Sequence, residues 1–232
     1  MFDRRITGAL GIACGLALGV ATQASANPML GIELMETGYT PWLTASSADP
    51  LTAVVKNFGT FKTNLEVNSL VTNPLSIDLK STDVSTDAAG TLTIIASATG
   101  LNSPLGLNNF LSQFSGNYNS GVTSTTLQTY ISNSNVMFST DTLLNSLGAN
   151  GSHFAVSGSN YTTTDDPFAI TEVITITTSG KTTINFDGSI TAASQVTSAP
   201  EIDAGSGGAA IALLLGVLGL VGERRRRLTA VA

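Results

Sequence analysis

The sequence holds one cysteine, one histidine and one tryptophan, and only 11% of its residues are charged. Each shortage closes off a class of chemistry. Cys14 lies inside an apolar N-terminal run, with Gly11 where a lipid-attachment motif would need a leucine-like residue. Loss of that run leaves a mature chain without disulfides, cysteine-ligated zinc or thiol nucleophiles. His153 is the sole imidazole available to a Ser-His-Asp triad, and no G-x-S-x-G elbow surrounds any serine. His153 therefore reads as a surface residue at the start of a strand. Arginine is confined to the two ends. Between Asn27 and Ala199 stand four lysines (Lys56, Lys62, Lys80, Lys181) and twelve acids, a net charge of 4 − 12 = −8. Such a body has no basic face for phosphates, which excludes nucleic acid as a partner, and an anionic membrane surface repels it.

The ends are rich where the body is poor. Arg4 and Arg5 precede an uncharged, mostly apolar run from Ile6 to Ala21, and Ala24-Ser25-Ala26 forms an A-x-A site with Pro28 just beyond. This is the layout of a secretory signal peptide over residues 1–26, cut by signal peptidase after Ala26. At the other end, residues 204–222 form an uncharged stretch just long enough to cross a bilayer as a helix. Arg224, Arg225, Arg226 and Arg227 follow and hold residues 223–232 in the cytoplasm. Both ends place the body on the far side of the inner membrane.

Pro200-Glu201-Ile202, the spanning segment and the arginine cluster occur in that order. This tripartite tail resembles the PEP-CTERM sorting signal, with Ile202 where that family usually has its second proline. Gly205 to Gly208 give it a weaker resemblance to GlyGly-CTERM tails, which rhomboid-type proteases process. The first resemblance implies cleavage near the motif by an exosortase-type membrane protease. It also implies delivery to the cell surface or the exopolysaccharide biofilm matrix of a Gram-negative bacterium.

Serine and threonine make up 52 of the 170 residues from Gly31 to Pro200. Thr-rich wet faces suit strands rather than helices. In residues 168–178, Phe168, Ile170, Ile174 and Ile176 share one face, interrupted by Glu172, with threonines on the other: period two, a half-buried strand. "SGK" at Ser179 to Lys181 then predicts a turn, and Thr182–Ala193 a hairpin partner. Further strands are expected at Leu51–Phe58, Phe61–Val71, Leu75–Val84, Gly90–Gly100, Thr126–Ser132, Val136–Thr140 and His153–Ser159. Short strands at this spacing predict a mainly β fold, an antiparallel β-sandwich or jelly roll, over residues 27–190. Leu105, Leu107, Phe110, Leu111 and Phe114 stand near helical spacing, so Pro104–Gly116 is expected as a short helix capped by Asn108. Ser139–Gly151 is expected to add a helical turn, capped by Ser139 or Asp141. Residues 191–203 read as a stalk presenting the sorting motif.

The remaining chemistry rests on acids and aromatics. Glu33/Glu36, Asp83/Asp87, Asp165/Asp166 and Glu172 are the candidates for a carboxylate pair of the glycosidase kind. Glu172, interrupting an apolar face, is a candidate for burial with a raised pKa, while the commoner outcome for such a residue is an edge strand with the Glu pointing at water through a gap. Asp83, Asp87, Asp165 and Asp166 lie in loop-like stretches that could offer oxygens to calcium, without EF-hand spacing. Trp42 reads as a core plug rather than a sugar platform. The expectation is a structural protein of the surface or matrix, without enzymatic activity or cofactor. A calcium-dependent adhesin or carbohydrate-binding module and a secreted carbohydrate-active enzyme are the alternatives. N-terminal sequencing of the exported protein should start at Asn27; a chain that still begins at Met1 would make residues 1–26 an uncleaved anchor.

Overall fold

A computed structural model describes residues 28–70, 74–149 and 151–194. The signal peptide with Ala24 and Ala26, the sorting motif, the spanning segment and both arginine clusters lie outside the described residues. Within them the chain forms twelve strands and no helix. They are β1 (Met29–Glu36), β2 (Trp42–Ser46), β3 (Leu51–Phe58), β4 (Phe61–Leu70), β5 (Leu75–Thr86) and β6 (Ala89–Leu101). β7 (Gly106–Tyr118), β8 (Val122–Ser132), β9 (Thr142–Gly148), β10 (His153–Thr164), β11 (Phe168–Ser179) and β12 (Thr182–Ser194) follow.

Two six-stranded antiparallel sheets pack face to face. Sheet A runs β2-β1-β6-β11-β8-β9 and sheet B runs β10-β7-β12-β5-β4-β3. Consecutive strands alternate in direction. Every odd strand starts at one end of the sandwich, where every even strand finishes. We call this the near end, since β12 leaves from it toward the sorting motif; the opposite end is the far end.

Period-two patterning sets the core. In β12, Ile184, Phe186, Ile190 and Ala192 face inward, and in β4 Phe61, Leu65 and Val67 do. Phe114 anchors one side, with ring centroids 4.8 Å from Phe154 and 6.4 Å from Phe186. Full burial of such a side chain stabilises by about 1.5–3 kcal/mol. The interior also admits polar groups that satisfy one another. Ser112 Oγ of sheet B lies 2.9 Å from Thr129 Oγ1 of sheet A, and Asn145 Nδ2 donates to Ser112 Oγ at 2.8 Å.

The structure corrects several expectations. Pro104–Gly116 is not a helix: Gly106 onward is β7, paired along its length with β10 and β12. Its inward residues are Asn108, Phe110, Ser112 and Phe114, while Leu105, Leu107 and Leu111 are exposed. Two buried polar positions hid the alternation, and three exposed leucines imitated a helical stripe. Asn108 caps nothing; its amide donates to the Pro104 and Gly106 carbonyls and to Thr164 Oγ1. Ser139–Gly151 contributes β9 instead of a helical turn, and Asp141 accepts bonds from Ser132 and Ser134 rather than capping a helix. Val136–Thr140 is not a strand but part of a loop in which Asn135 and Phe138 have positive φ. β1 and β2 were not foreseen. β11 and β12 both form, yet not as a hairpin: β11 pairs with β6 and β8, β12 with β5 and β7. Their apolar faces meet across the core, because alternation says which face is buried and not which strand is the neighbour. β12 also runs through Ser194, so the first four residues assigned to the stalk belong to the sandwich.

One carboxylate staples the two sheets at the far end. Glu36, at the end of β1, accepts from Thr60 N at 2.9 Å and Thr60 Oγ1 at 2.7 Å in the β3–β4 turn. Gly59 has φ +58°, and a Cβ there would run into the Glu36 carboxylate. Gly100, with φ +73° and open space around it, is the control. Gly59→Ala should cost about 3 kcal/mol, from left-handed strain plus a displaced charge-assisted bond, against about 1 kcal/mol for Gly100→Ala. Urea unfolding midpoints check the difference; equal shifts would remove Glu36 as the staple.

Candidate functional site

The two outer faces differ. That of sheet A is partly covered by residues 133–141. Phe138 N donates to Ser97 Oγ at 3.1 Å, and Gly100 N donates to Asn135 Oδ1 at 2.7 Å. A Cβ on Gly31 would lie 2.6 Å from both Met137 Sδ and the Phe138 ring, so glycine lets the loop lie flat. Hydrogen bonds from Ser132 and Ser134 hold the Asp141 carboxyl below its ordinary range.

Sheet B keeps an open outer face. An open depression of about 400 Å³ near its middle is lined by Asp78, Gln113, Ser115, Ser157, Asp187 and Ser189, with Phe114, Ala155 and Val156. Register builds it. Asp78 stands beside Ser189, Ser189 beside Gln113 and Gln113 beside Ser157. Asp187 stands beside Lys80 and Ser115, which makes Asp78 its diagonal neighbour. Lys80 Nζ lies 2.6 Å from Asp78 Oδ2. That bond and the Asp78 charge raise the Lys80 pKa. Partial burial, then the charge and hydrogen bonding of Asp78, raise that of Asp187, with Lys80 offsetting some of it. Asp78 Oδ1, Asn109 Oδ1 and Asn185 Oδ1, all from outward positions of this sheet, have no hydrogen-bond partner. These three oxygens are enclosed by the atoms around them, so the polar lining of the depression is that of Gln113, Ser115, Ser157, Asp187 and Ser189 beside Asp78. A second open pocket, about 440 Å³, lies at the far end between Thr60, Lys62, Ser85, Asp87, Lys181 and Thr183; Lys181 Nζ sits 3.4 Å from Asp87 Oδ1, both side chains exposed.

Glu172 lies behind this face. It is 0% exposed on β11, a central strand, and neither carboxylate oxygen has a hydrogen-bond partner. Across the core it faces Gly188 of sheet B, where a Cβ would stand 3.5 Å from its Oε2, an ordinary contact. Burial first, then the charges of Asp78 and Asp187 through the thin sheet, push its pKa well up; the Ile190 amide lowers it slightly without reaching hydrogen-bond geometry. Sealed in the core, it is not a carboxylate offered to substrate.

The other sequence candidates do not converge. Glu33 and Glu36 point to opposite faces of β1. Asp83, Asp87, Asp165 and Asp166 are all exposed, and among the described residues no group of three or more His, Cys, Asp and Glu side chains could hold a metal ion. His153 is exposed at the start of β10, and Trp42 packs half-buried against the core edge. The sequence reading missed Asp78, Asp187 and Gln113. Their one signal was an outward position in an alternating strand; only register brings them together.

Residues 199–228 match the family model described as the VPEID-CTERM protein sorting domain. The tail is therefore a PEP-CTERM-like sorting signal of the exosortase type. The VPEID-CTERM match takes in Pro200, Glu201 and Ile202 as well as Arg224 to Arg227. Ile202 and Asp203 agree with the motif in the family's name, so Ile202 is part of the pattern rather than a lapse from it. No curated protein matches the chain. Among solved structures, the enzymatically active domain of bacteriophage CBA120 tailspike protein 4 aligns with 56% of this chain at 10% identity, with a TM-score of 0.27. The alignment spans 19% of that protein, and at this score it carries no argument about fold or activity.

Glu172 makes a testable statement about pH. Its unfolded-state pKa is about 4.3. The folded chain keeps the proton above that value while the unfolded chain releases it. The stability Glu172 contributes is thus complete below about pH 4.3 and is lost as pH rises toward the folded pKa. Glu172→Gln keeps the shape and removes the titration. Its thermal midpoint should match wild type near pH 4 and exceed it by about 3 °C or more at pH 8, the scale on which ~1 kcal/mol moves a domain of this size. Parallel midpoints across the range would mean that Glu172 does not titrate as a buried acid.

Proposed function

We propose that this protein is exported, cut at its sorting motif, and retained as a non-enzymatic structural component of the cell surface or exopolysaccharide matrix. The VPEID-CTERM segment carries the reading, because such a signal implies an exported, sorted surface protein processed by an exosortase-type membrane protease. Three features of the domain support a structural role. It is acidic and rich in hydroxyl side chains. Its catalytic candidates are either sealed in the core, as Glu172 is, or scattered over the exposed surface. Its carboxylate pair, Asp78 and Asp187, opens to bulk water, where charges are screened and nothing excludes solvent from a reacting bond. A second reading, a carbohydrate-binding module, is favoured by one observation: an open depression lined by Asp78, Gln113, Ser115, Ser157, Asp187 and Ser189 lies on the outer face of sheet B.

Cell fractionation with intact-mass measurement tests the main reading. Wild type should leave the inner membrane as a product that has lost residues 204–232. Pro200→Ala with Glu201→Ala should accumulate at full tail length in the membrane. Full-length wild type in the membrane would reduce the tail to a plain anchor.

A further inference from the structure

The exposed large apolar side chains of the domain are not scattered. Tyr39 and Leu43 lie toward the far end; Met29, Leu70, Leu105, Leu107, Leu111, Val136, Leu143 and Tyr161 belong to the near half. Four of them surround the departing end of β12 on the outer face of sheet B. Leu111 stands beside Thr191, and Thr191 beside Ser76, whose other neighbour is Leu70. Tyr161 stands beside Asn109, itself paired with Ala193, and Leu107 precedes Asn109 by two residues on the same face. Their exposures run from 37% for Leu111 to 56% for Tyr161.

Chain length decides what meets this corner. From Ser194, the last residue of β12, to Pro200 of the motif is six Cα steps, about 20 Å even when fully extended. Any enzyme that cuts at the motif must bring its catalytic centre within that distance of the apolar corner. The alternatives fit less well. The near-end loops hold Asp49, Asp141, Asp165 and Asp166 and, among the described residues, no lysine, so an anionic lipid surface is repelled there. We infer that the corner formed by Leu70, Leu107, Leu111 and Tyr161 is a docking surface for the outward face of the membrane-embedded sorting protease, which recognises the folded passenger as well as the tail. This inference rests on the sorting reading above.

The test follows processing of the full chain in cells that carry the protease, by pulse-chase. Leu107→Ser, Leu111→Ser and Tyr161→Ser, singly and together, leave the motif and tail intact. All three side chains are exposed, so the thermal midpoint of the uncut chain should stay at the wild-type value. The combined variant should be cut roughly tenfold more slowly, and each single variant less so. Tyr39→Ser with Leu43→Ser, at the far end, should be cut at the wild-type rate. Wild-type cutting of all the near-end variants would overturn docking while leaving the sorting reading standing. A wild-type chain that is never cut would remove both. Flotation of the released wild-type product with zwitterionic phospholipid vesicles, or its concentration-dependent dimerisation, abolished in either case by the triple substitution, would reassign the corner to the bilayer or to a second copy.

Discussion

Twelve strands of alternating direction leave only two places where the chain can turn, and the two ends of the sandwich are built differently as a result. Each odd strand must start where each even strand stops. With an even number of strands, the start of β1 and the end of β12 fall at the same end. The chain's entry into β1 and its exit toward the sorting tail are thereby placed together, and the opposite end is free of both. The near end gathers exposed leucines around the departing chain; the far end gathers Lys62, Lys181, His153 and short glycine-bearing turns.

Closing two sheets on a core that includes serine, threonine and glutamate raises an energetic question, since each unpaired buried polar group costs on the order of 1–3 kcal/mol. The fold answers it in three ways. Ser112, Thr129 and Asn145 satisfy one another between the sheets. Glu36 sits at the rim and accepts from the Thr60 amide and hydroxyl. Glu172 has no such partner; burial raises its pKa well above the ordinary range, which favours the neutral form over the much larger cost of a buried charge. Gly59 is the complementary half of the Glu36 contact: it sits where a Cβ would run into the carboxylate.

Much of this was legible in the sequence. The Thr-rich, lysine-poor composition pointed to strands, and β3, β4, β5, β6, β8, β10, β11 and β12 stood near their expected positions. Glu172 was recognisable as a polar break in the apolar face of β11. The misreadings share one physical origin. A strand with Asn108 and Ser112 on its inner face and Leu107 and Leu111 on its outer face reverses the usual rule of polar outside and apolar inside. Its pattern then resembles a helix. The inner-face asparagine and serine are paid attention only once Thr164 and Thr129 are seen across from them. Partner choice was equally hidden. Alternation made β11 and β12 look like a hairpin, whereas each is central in its own sheet, and the Asp78–Asp187 pair depends on that same unreadable register.

The functional reading turns on a separation between the two parts of the chain. The tail carries the sorting signal. The domain must therefore supply the function that persists after cutting. What it offers then is a surface of hydroxyls, amides and carboxylates, with an open polar depression on sheet B and the other sheet partly closed by its own loop. On the matrix reading proposed above, such a surface forms many weak hydrogen bonds to a hydrated polymer without demanding one geometry. The apolar corner near β12 is the exception to this wet surface and stands beside the departing tail.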